Sequence, residues 1–402
     1  MHFAIPYRLR DSSVGGGHTY EESILLTMIA QVGATRHRLT VLGIGSGRRP
    51  NFEGKNVSYI HLGIVSSAIV AIAALFRRHR WHPFVGMQRS IEYFMQMRVA
   101  KVLRSEGVQF VWSLSPFIHT MELPFAVTVW DIEYRRQGFF PEISAAGEWR
   151  NREGVFQEML HRAAYVIASN EIGLRQIEFS FAVLRERIIS LPHFTPRWIL
   201  ENPEGKAPHF AAQEGLKAFE YILYPAQFWP HKNHIRILEA VAQLKRQRKS
   251  ARKIVFVGSD QGNLTYIKNC VREMGLISDV IIPGFVSQAE LAWLYRNAFC
   301  LVYASMFGPE NLPPLEAFGL GCPVICASYE GASEQYGDAA LYFEATSHIR
   351  LVNVLEELEN PRTRSALINK GLIRAQIWTP RMYVAAIFDL LEKIEPTLEC
   401  WL

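Results

Sequence analysis

The sequence predicts an α/β protein with two parallel sheets, and three observations lead there. Short apolar runs alternate with amphipathic stretches along nearly the whole chain, the pattern of strands joined by crossover helices. A segment rich in Pro, Gly and charge splits that alternation into two sets. At 402 residues the chain is long for one core and suited to two domains of ordinary size.

In the first set, strands are expected at 2–6, 38–43, 57–62, 109–113, 125–130, 164–168 and 187–191, with helical pattern between them, as at 18–31 and 150–163. After "LPHFTP" comes "ENPEGKAPHFAAQEG" (201–215), the best linker in the sequence. "YILYPA" (221–226), "KIVFVG" (253–258), "VIIPG" (280–284), "FCLVYA" (299–304) and "PVICA" (323–327) then read as buried parallel strands. Between the first two of these, Ile237, Val241 and Leu244 at i, i+4, i+7 mark a core-facing helix. "WTPRMYVAAIFDLLEKI" (378–394) is a strongly amphipathic closing helix. The expected division is a first domain over 1–200, a linker over 201–218, a second domain over 219–377, and a closing segment over 378–402 that packs back on the first. Two such domains joined once make a cleft at the carboxyl ends of their strands, where ligands of such folds bind.

Hydrophobic residues make up 49% and charged residues 20%, which excludes a disordered or fibrous chain. A formal charge of +5 permits acidic partners, such as nucleotide phosphates or anionic lipid, without demanding any. Nucleic-acid binding lacks a dense basic stripe with interleaved aromatics. The five cysteines, at 270, 300, 322, 326 and 400, form no CxxC pair and read as buried reduced thiols, which fits a cytoplasmic setting. "MHFAIPYRLRDSS" reads as strand and loop rather than signal peptide. The longest apolar segment, "IVSSAIVAIAALF" (64–76), is too short to span a bilayer. The basic "RRHRWHPF" (77–84) follows it, so the pair reads as a core helix with cations at its dipole-favoured end, or as a helix resting on an anionic membrane surface.

Three loops carry candidate chemistry. In "SSVGGGHTYEESIL" (12–25), Gly15, Gly16 and Gly17 allow positive φ and close backbone approach ahead of a helix start that can meet an anion. The run is not GxGxxG, and a plain turn reads as well. In "YPAQFWPHKNH" (224–234), Lys232 can supply a point charge to a diphosphate. His231 and His234 beside it read as a solvated loop edge, because nothing supplies a metal's other ligands. In "FGPENLPPLEAFGLGCPVI" (307–325), Pro313 and Pro314 open a helix, and the amides of Glu310, Asn311 and Leu312 can face a ligand. Glu316 lies about one turn further in, suited to accept hydrogen bonds from a neutral diol such as a ribose rather than to touch a phosphate. A carboxylate merely complementing the helix start is the plainer reading.

That last run, followed by "GASEQYGDAALYF", resembles the signature of family 4 retaining glycosyltransferases of the GT-B fold. "FWPHKN", "PGFVSQAELAWLYRNA", "VTVWDIEYRRQGFFPE" and "RAAYVIASN" resemble it too, in the family's order. The resemblance implies two Rossmann-like domains facing each other across a cleft. It implies transfer of a sugar from a nucleoside diphosphate donor, perhaps GDP-mannose or another NDP-hexose, to a hydroxyl of a glycan or lipid-linked acceptor in surface polysaccharide synthesis. No metal or other cofactor is implied. By position, Glu316 matches the glutamate that holds the donor ribose and Lys232 the lysine on the diphosphate. Asn311 and Leu312 match the loop whose amides meet diphosphate and sugar, with Gly16 and Gly17 facing them. Phe285 and Val286 fall where the nucleobase lies.

Three positions depart from the family's pattern. Its first motif glutamate falls on Gly308, with Glu310 the only nearby carboxylate to replace it. An arginine falls on Gln227, and the histidine before Asp131 on the acceptor or sugar side is Trp130, whose indole can stack on a sugar ring. Two other readings follow from these departures and from the fold: a catalytically silent NDP-sugar-binding or scaffold protein, and a sugar-nucleotide epimerase.

Overall fold

The computed structural model describes residues 1–9, 15–45, 52–62, 85–201, 203–248, 252–308 and 311–400. Among them the first sheet has strands β1 (His2–Arg8), β2 (Arg38–Ile44), β3 (Val57–His61), β4 (Phe110–Ser113), β5 (Phe125–Val129), β6 (Tyr165–Ala168) and β7 (Ile188–Ser190). The second has β8 (Tyr221–Pro225), β9 (Lys253–Val257), β10 (Val280–Gly284), β11 (Cys300–Tyr303), β12 (Val324–Ser328) and β13 (Ala340–Glu344). Every pairing is parallel, in the orders β3-β2-β1-β4-β5-β6-β7 and β10-β9-β8-β11-β12-β13. Each sheet therefore reverses its winding beside its first strand, at β1/β4 and at β8/β11. Such switch points open a crevice at the carboxyl edge. The helices that matter below are α1 (Gly16–Val32), α2 (Val85–Ser105), α3 (His234–Arg248), α4 (Gln288–Asn297), α5 (Leu312–Gly319), α6 (Ala332–Tyr336) and α7 (Pro380–Glu399).

All the strand runs expected from sequence lie within two residues of an observed strand. β13 was not among them.

The chain divides into two compact units. One comprises Met1–Phe139, Ile143–Leu191 and Pro380–Leu402, the other Phe140–Glu142 and Pro192–Thr379. The stretch 201–218 is thus not a linker but part of the second unit, and its polar composition is used in contacts. The Lys206 N–H donates to the Ala289 carbonyl at 3.0 Å. Arg296 Nη1 donates to the Pro203 carbonyl at 2.7 Å. Residues His209–Gln213 form a short helix.

In the first unit α7 lies on α1. Tyr383, Val384, Ile387 and Leu391 are fully buried at helical spacing, and Tyr383 meets Tyr20 edge to face at 5.9 Å. Each such side chain contributes roughly 1.5–3 kcal/mol by leaving water. Cys270, Cys300, Cys322 and Cys326 are buried and unpaired, but Cys400 is exposed, contrary to the expectation of buried thiols throughout. The segment 64–84 lies outside the described residues. Among those described, no helix is long and apolar enough to cross a membrane.

Candidate functional site

The second sheet's switch point brings two loops together, one after β8 and one after β11. The β8 loop ends in a single 3-10 turn, Pro230–Lys232, followed by Asn233 at φ 56°. Asn233 fixes that left-handed corner, because its Nδ2 donates to the Ala304 carbonyl at 3.2 Å and to that of Ala345 at 2.9 Å. The Lys232 ammonium is thereby delivered to the end of β11. It donates to Tyr303 Oη at 2.9 Å, Ser305 Oγ at 3.4 Å and Asn311 Oδ1 at 3.4 Å.

Asn311 precedes α5 and is held at every polar atom it has. Its Oδ1 also accepts from Tyr303 Oη at 2.5 Å, and its Nδ2 donates to Tyr329 Oη at 3.0 Å and to the Gly308 carbonyl at 3.2 Å. Its N–H donates to Gln335 Oε1 at 2.9 Å, and its carbonyl accepts from Gln335 Nε2 at 3.1 Å and from Tyr336 Oη at 3.3 Å. The backbone amide of Asn311, expected to face a ligand, is therefore already taken. Pro313 and Pro314 carry no N–H, so Leu312 supplies the one amide donor of the first three helical positions.

Glu316 sits in the second turn of α5, 7% exposed. Its Oε2 accepts from Tyr295 Oη of α4 at 2.8 Å, a bond in which Oε1 takes no part. Burial pushes its carboxyl up to about 7, with the Tyr295 hydrogen bond opposing the shift. The arrangement offers a fixed cation, an amide at a helix start, and a carboxylate oxygen that can accept from a ligand hydroxyl.

Residues 208–373 match the family described as Glycosyl transferases group 1. The matched residues fall within the second unit. The chain is similar to the O-antigen chain mannosyltransferase B of Escherichia coli, 25% identical over 243 residues, which span 59% of this chain and 62% of that protein. Its fold is that of WaaG, a glycosyltransferase involved in lipopolysaccharide biosynthesis (TM-score 0.68, 15% identity, 97% of this chain and 99% of that one). It is also that of Anabaena Alr3699/HepE in complex with UDP-glucose (TM-score 0.62, 14% identity, 98% and 100%). The architecture is GT-B, with two parallel α/β units.

The remaining expected site residues fall as follows. Gln227 is engaged on both sides, donating to Ser259 Oγ at 3.2 Å and accepting from Trp229 Nε1 at 3.1 Å. After β10, Phe285 is exposed while Val286 is buried. Glu310 lies outside the described residues. Gly308 has φ +116°, and a Cβ there would stand 3.1 Å from Asn311 Nδ2, so this loop conformation disfavours the glutamate of the family pattern.

In the first unit the glycine run is no open loop. Gly15 is the N-cap, and α1 starts at Gly16. Gly17 has no positive φ; its missing Cβ makes room for Trp130, whose Cη2 would lie 2.6 Å from it. Asp131 turns inward to its own chain, accepting the Glu133 N–H at 2.9 Å.

Neither histidine is a solvated loop edge. His231 stacks on Phe307 at 4.6 Å and lies 2.5 Å, Nδ1 to Oε1, from Glu142, which belongs to the same unit. Burial raises the Glu142 carboxyl, and the bonds from His231 outweigh this and hold it below its usual value. His234 is fully buried against Phe228 and Tyr224, and burial drives it down to about 3.

Sequence reasoning missed Tyr295, Tyr303, Ser305, Tyr329, Gln335 and Tyr336. Each acts by positioning Lys232, Asn311 or Glu316. Their one sequence signal is position, since several close a strand or fall inside a motif-bearing run.

Proposed function

We propose that the chain is a retaining glycosyltransferase. It would transfer a sugar from a nucleoside diphosphate donor, GDP-mannose or another NDP-hexose, to a hydroxyl of a glycan or lipid-linked acceptor in surface polysaccharide synthesis, on the cytoplasmic side of the membrane. The observation that carries this reading is the pinned Lys232 beside the start of α5, one helical turn from the buried Glu316.

Cleaving the bond between sugar and diphosphate leaves an electron-poor anomeric carbon and an anionic leaving group. Three oxygens hold Lys232 Nζ in place, so its charge is positioned before the donor arrives, which is the condition for efficient electrostatic stabilisation. The Leu312 amide and the positive end of α5 add to it. Glu316 Oε1 would accept from a ribose hydroxyl, which orients the donor and supplies rate through positioning. The leaving phosphate can itself accept the acceptor's proton on the same face, so retention needs no protein base. With the diphosphate met by Lys232 and amides, turnover is expected to persist in a chelator.

The test is turnover of labelled nucleotide sugars with a panel of glycan acceptors, reading the product's anomeric configuration by NMR. An α-linked donor giving an α-linked product supports the reading. Donor binding with no transfer or hydrolysis in any pairing would identify a silent binder. Conversion of the donor in the absence of any acceptor would identify an epimerase.

A further inference from the structure

The turn that carries Lys232 is gripped by a distant part of the chain. Residues Phe140–Glu142 belong to the second unit, although the chain on either side of them belongs to the first. Within the second unit they reach His231, the middle residue of the Pro230–Lys232 turn. One carboxylate oxygen holds that residue by main chain and ring together: Glu142 Oε1 accepts the His231 N–H at 3.3 Å and lies 2.5 Å from Nδ1. The Phe140 ring meets the His231 ring edge on, with centroids 6.4 Å apart.

The same histidine is fastened to the segment after β11. Its carbonyl accepts the Met306 N–H at 2.9 Å, and its ring stacks on Phe307. That segment and the end of β11 supply acceptors for the Lys232 ammonium. Tyr303 closes the strand, and Ser305 Oγ, 3.4 Å from Lys232 Nζ, donates to the Phe307 carbonyl at 2.9 Å. His231 therefore sets the spacing between the backbone of the lysine and two of the three oxygens that its ammonium meets.

A buried carboxylate is a poor choice for fastening a turn on grounds of stability alone. The Glu142 side chain is 7% exposed, and its Oε2 makes no hydrogen bond among the described residues. A buried ion pair often adds nothing over a well-packed neutral replacement, and an unsatisfied oxygen lowers its contribution further. What the carboxylate holds explains it better than what it stabilises. We propose that Glu142 is a positioning residue: acting through His231, it fixes where the Lys232 ammonium stands for an anionic leaving group. Its effect on catalysis rests on the glycosyl-transfer reading, whereas its effect on nucleotide binding rests only on the contact of Lys232 with a diphosphate.

The experiment is a double-mutant cycle of Glu142→Ala and Lys232→Ala in the full chain, with two readouts. The first is turnover of whichever GDP- or UDP-hexose the wild type uses. Glu142→Ala should lower kcat about tenfold with KM for the donor within about threefold, and lower it less than about twofold once Lys232 is alanine. The second is calorimetric affinity for free GDP and UDP, which should fall about fivefold in Glu142→Ala and no further when that change is added to Lys232→Ala. Glu142→Gln keeps an oxygen on the turn and should recover most of both losses. If Glu142→Ala melts far below wild type, Glu142→Asp, whose carboxylate stops one methylene short of the turn, takes its place in the cycle. A merely structural Glu142 would lower kcat by equal factors in both backgrounds; that result, or wild-type kinetics in Glu142→Ala, overturns the proposal. Nucleotide binding by a wild type that transfers no sugar would instead refute the glycosyl-transfer reading. The affinity cycle then decides the proposal alone, and additivity there overturns it. A wild type that binds neither nucleotide overturns both.

Discussion

Gln335 holds Asn311 by both halves of its backbone, taking the N–H on Oε1 at 2.9 Å and giving Nε2 to the carbonyl at 3.1 Å. One carboxamide from α6 thereby fixes the residue before α5, whose side chain in turn receives the Lys232 ammonium. Gln335→Met keeps the bulk but leaves both backbone groups without that partner. The expected cost is about 1–3 kcal/mol, read as a lower denaturant midpoint at unchanged slope. Turnover should fall further than donor affinity, since the variant displaces a group whose proposed role is in the transition state. Wild-type kinetics in the variant would remove Gln335 from the positioning chain.

Lys232 meets three oxygens arranged around one point, a geometry for an ammonium rather than a planar fork. Lys232→Ala should therefore cost about 10²–10³ in kcat, the scale seen when one preorganised electrostatic group is lost. Lys232→Arg should recover little of it, because a guanidinium cannot place one nitrogen among Tyr303, Ser305 and Asn311 without displacing them. Rapid single-turnover measurements with saturating donor check this. Full activity in the arginine variant would mean that net charge alone matters there.

Both sheets were legible because buried parallel strands show as short unbroken apolar runs. β13 was not legible, for only Ala340 and Phe343 of its short run ALYFE are buried, Leu341 and Tyr342 are half-exposed, and it ends on the exposed Glu344 at the sheet's edge. The position of Glu316 could be read locally, but its partner Tyr295 comes from α4, 21 residues earlier, and only tertiary packing joins them. His231 and His234 looked solvated because they flank a lysine in a polar stretch; aromatic rings from Phe307, Phe228 and Tyr224 bury them instead. The stretch 201–218 has a linker's composition, yet its backbone groups find partners on α4.

Gly17 and Trp130 are fitted to each other, with a Cβ at the glycine standing 2.6 Å from the indole Cη2. In an open helix Gly→Ala gains about 1 kcal/mol in propensity. Here the sign should reverse, because the ring must move and overpacking costs roughly 1–3 kcal/mol. Trp130→Leu shortens the obstacle, so the double variant should recover stability that Gly17→Ala alone loses. A double-mutant cycle by urea denaturation measures this coupling, expected above about 0.5 kcal/mol for residues in contact. Strict additivity would show that the two do not press on one another in solution.

Glu316 should make both stability and nucleotide binding depend on pH, in opposite senses. Burial raises its carboxyl from 4.5 to about 7 in the folded protein, so the native state holds this proton more tightly than the unfolded chain does. Between those values folding takes up a proton, and the contribution to stability falls as pH rises through the window. Above it the penalty is complete, on the order of 3 kcal/mol. Glu316→Gln carries no such charge, so it should be more stable than wild type near about pH 8 and lose that advantage below about pH 4.5. For the donor the order inverts, because a ribose hydroxyl donates most strongly to an ionised acceptor. Affinity for a nucleoside diphosphate, measured by calorimetry, should rise with pH through about 7 in the wild type and stay low and flat in Glu316→Gln. Equal affinity of the two proteins across the range would separate the buried carboxylate from nucleotide recognition and leave it a purely structural partner of Tyr295.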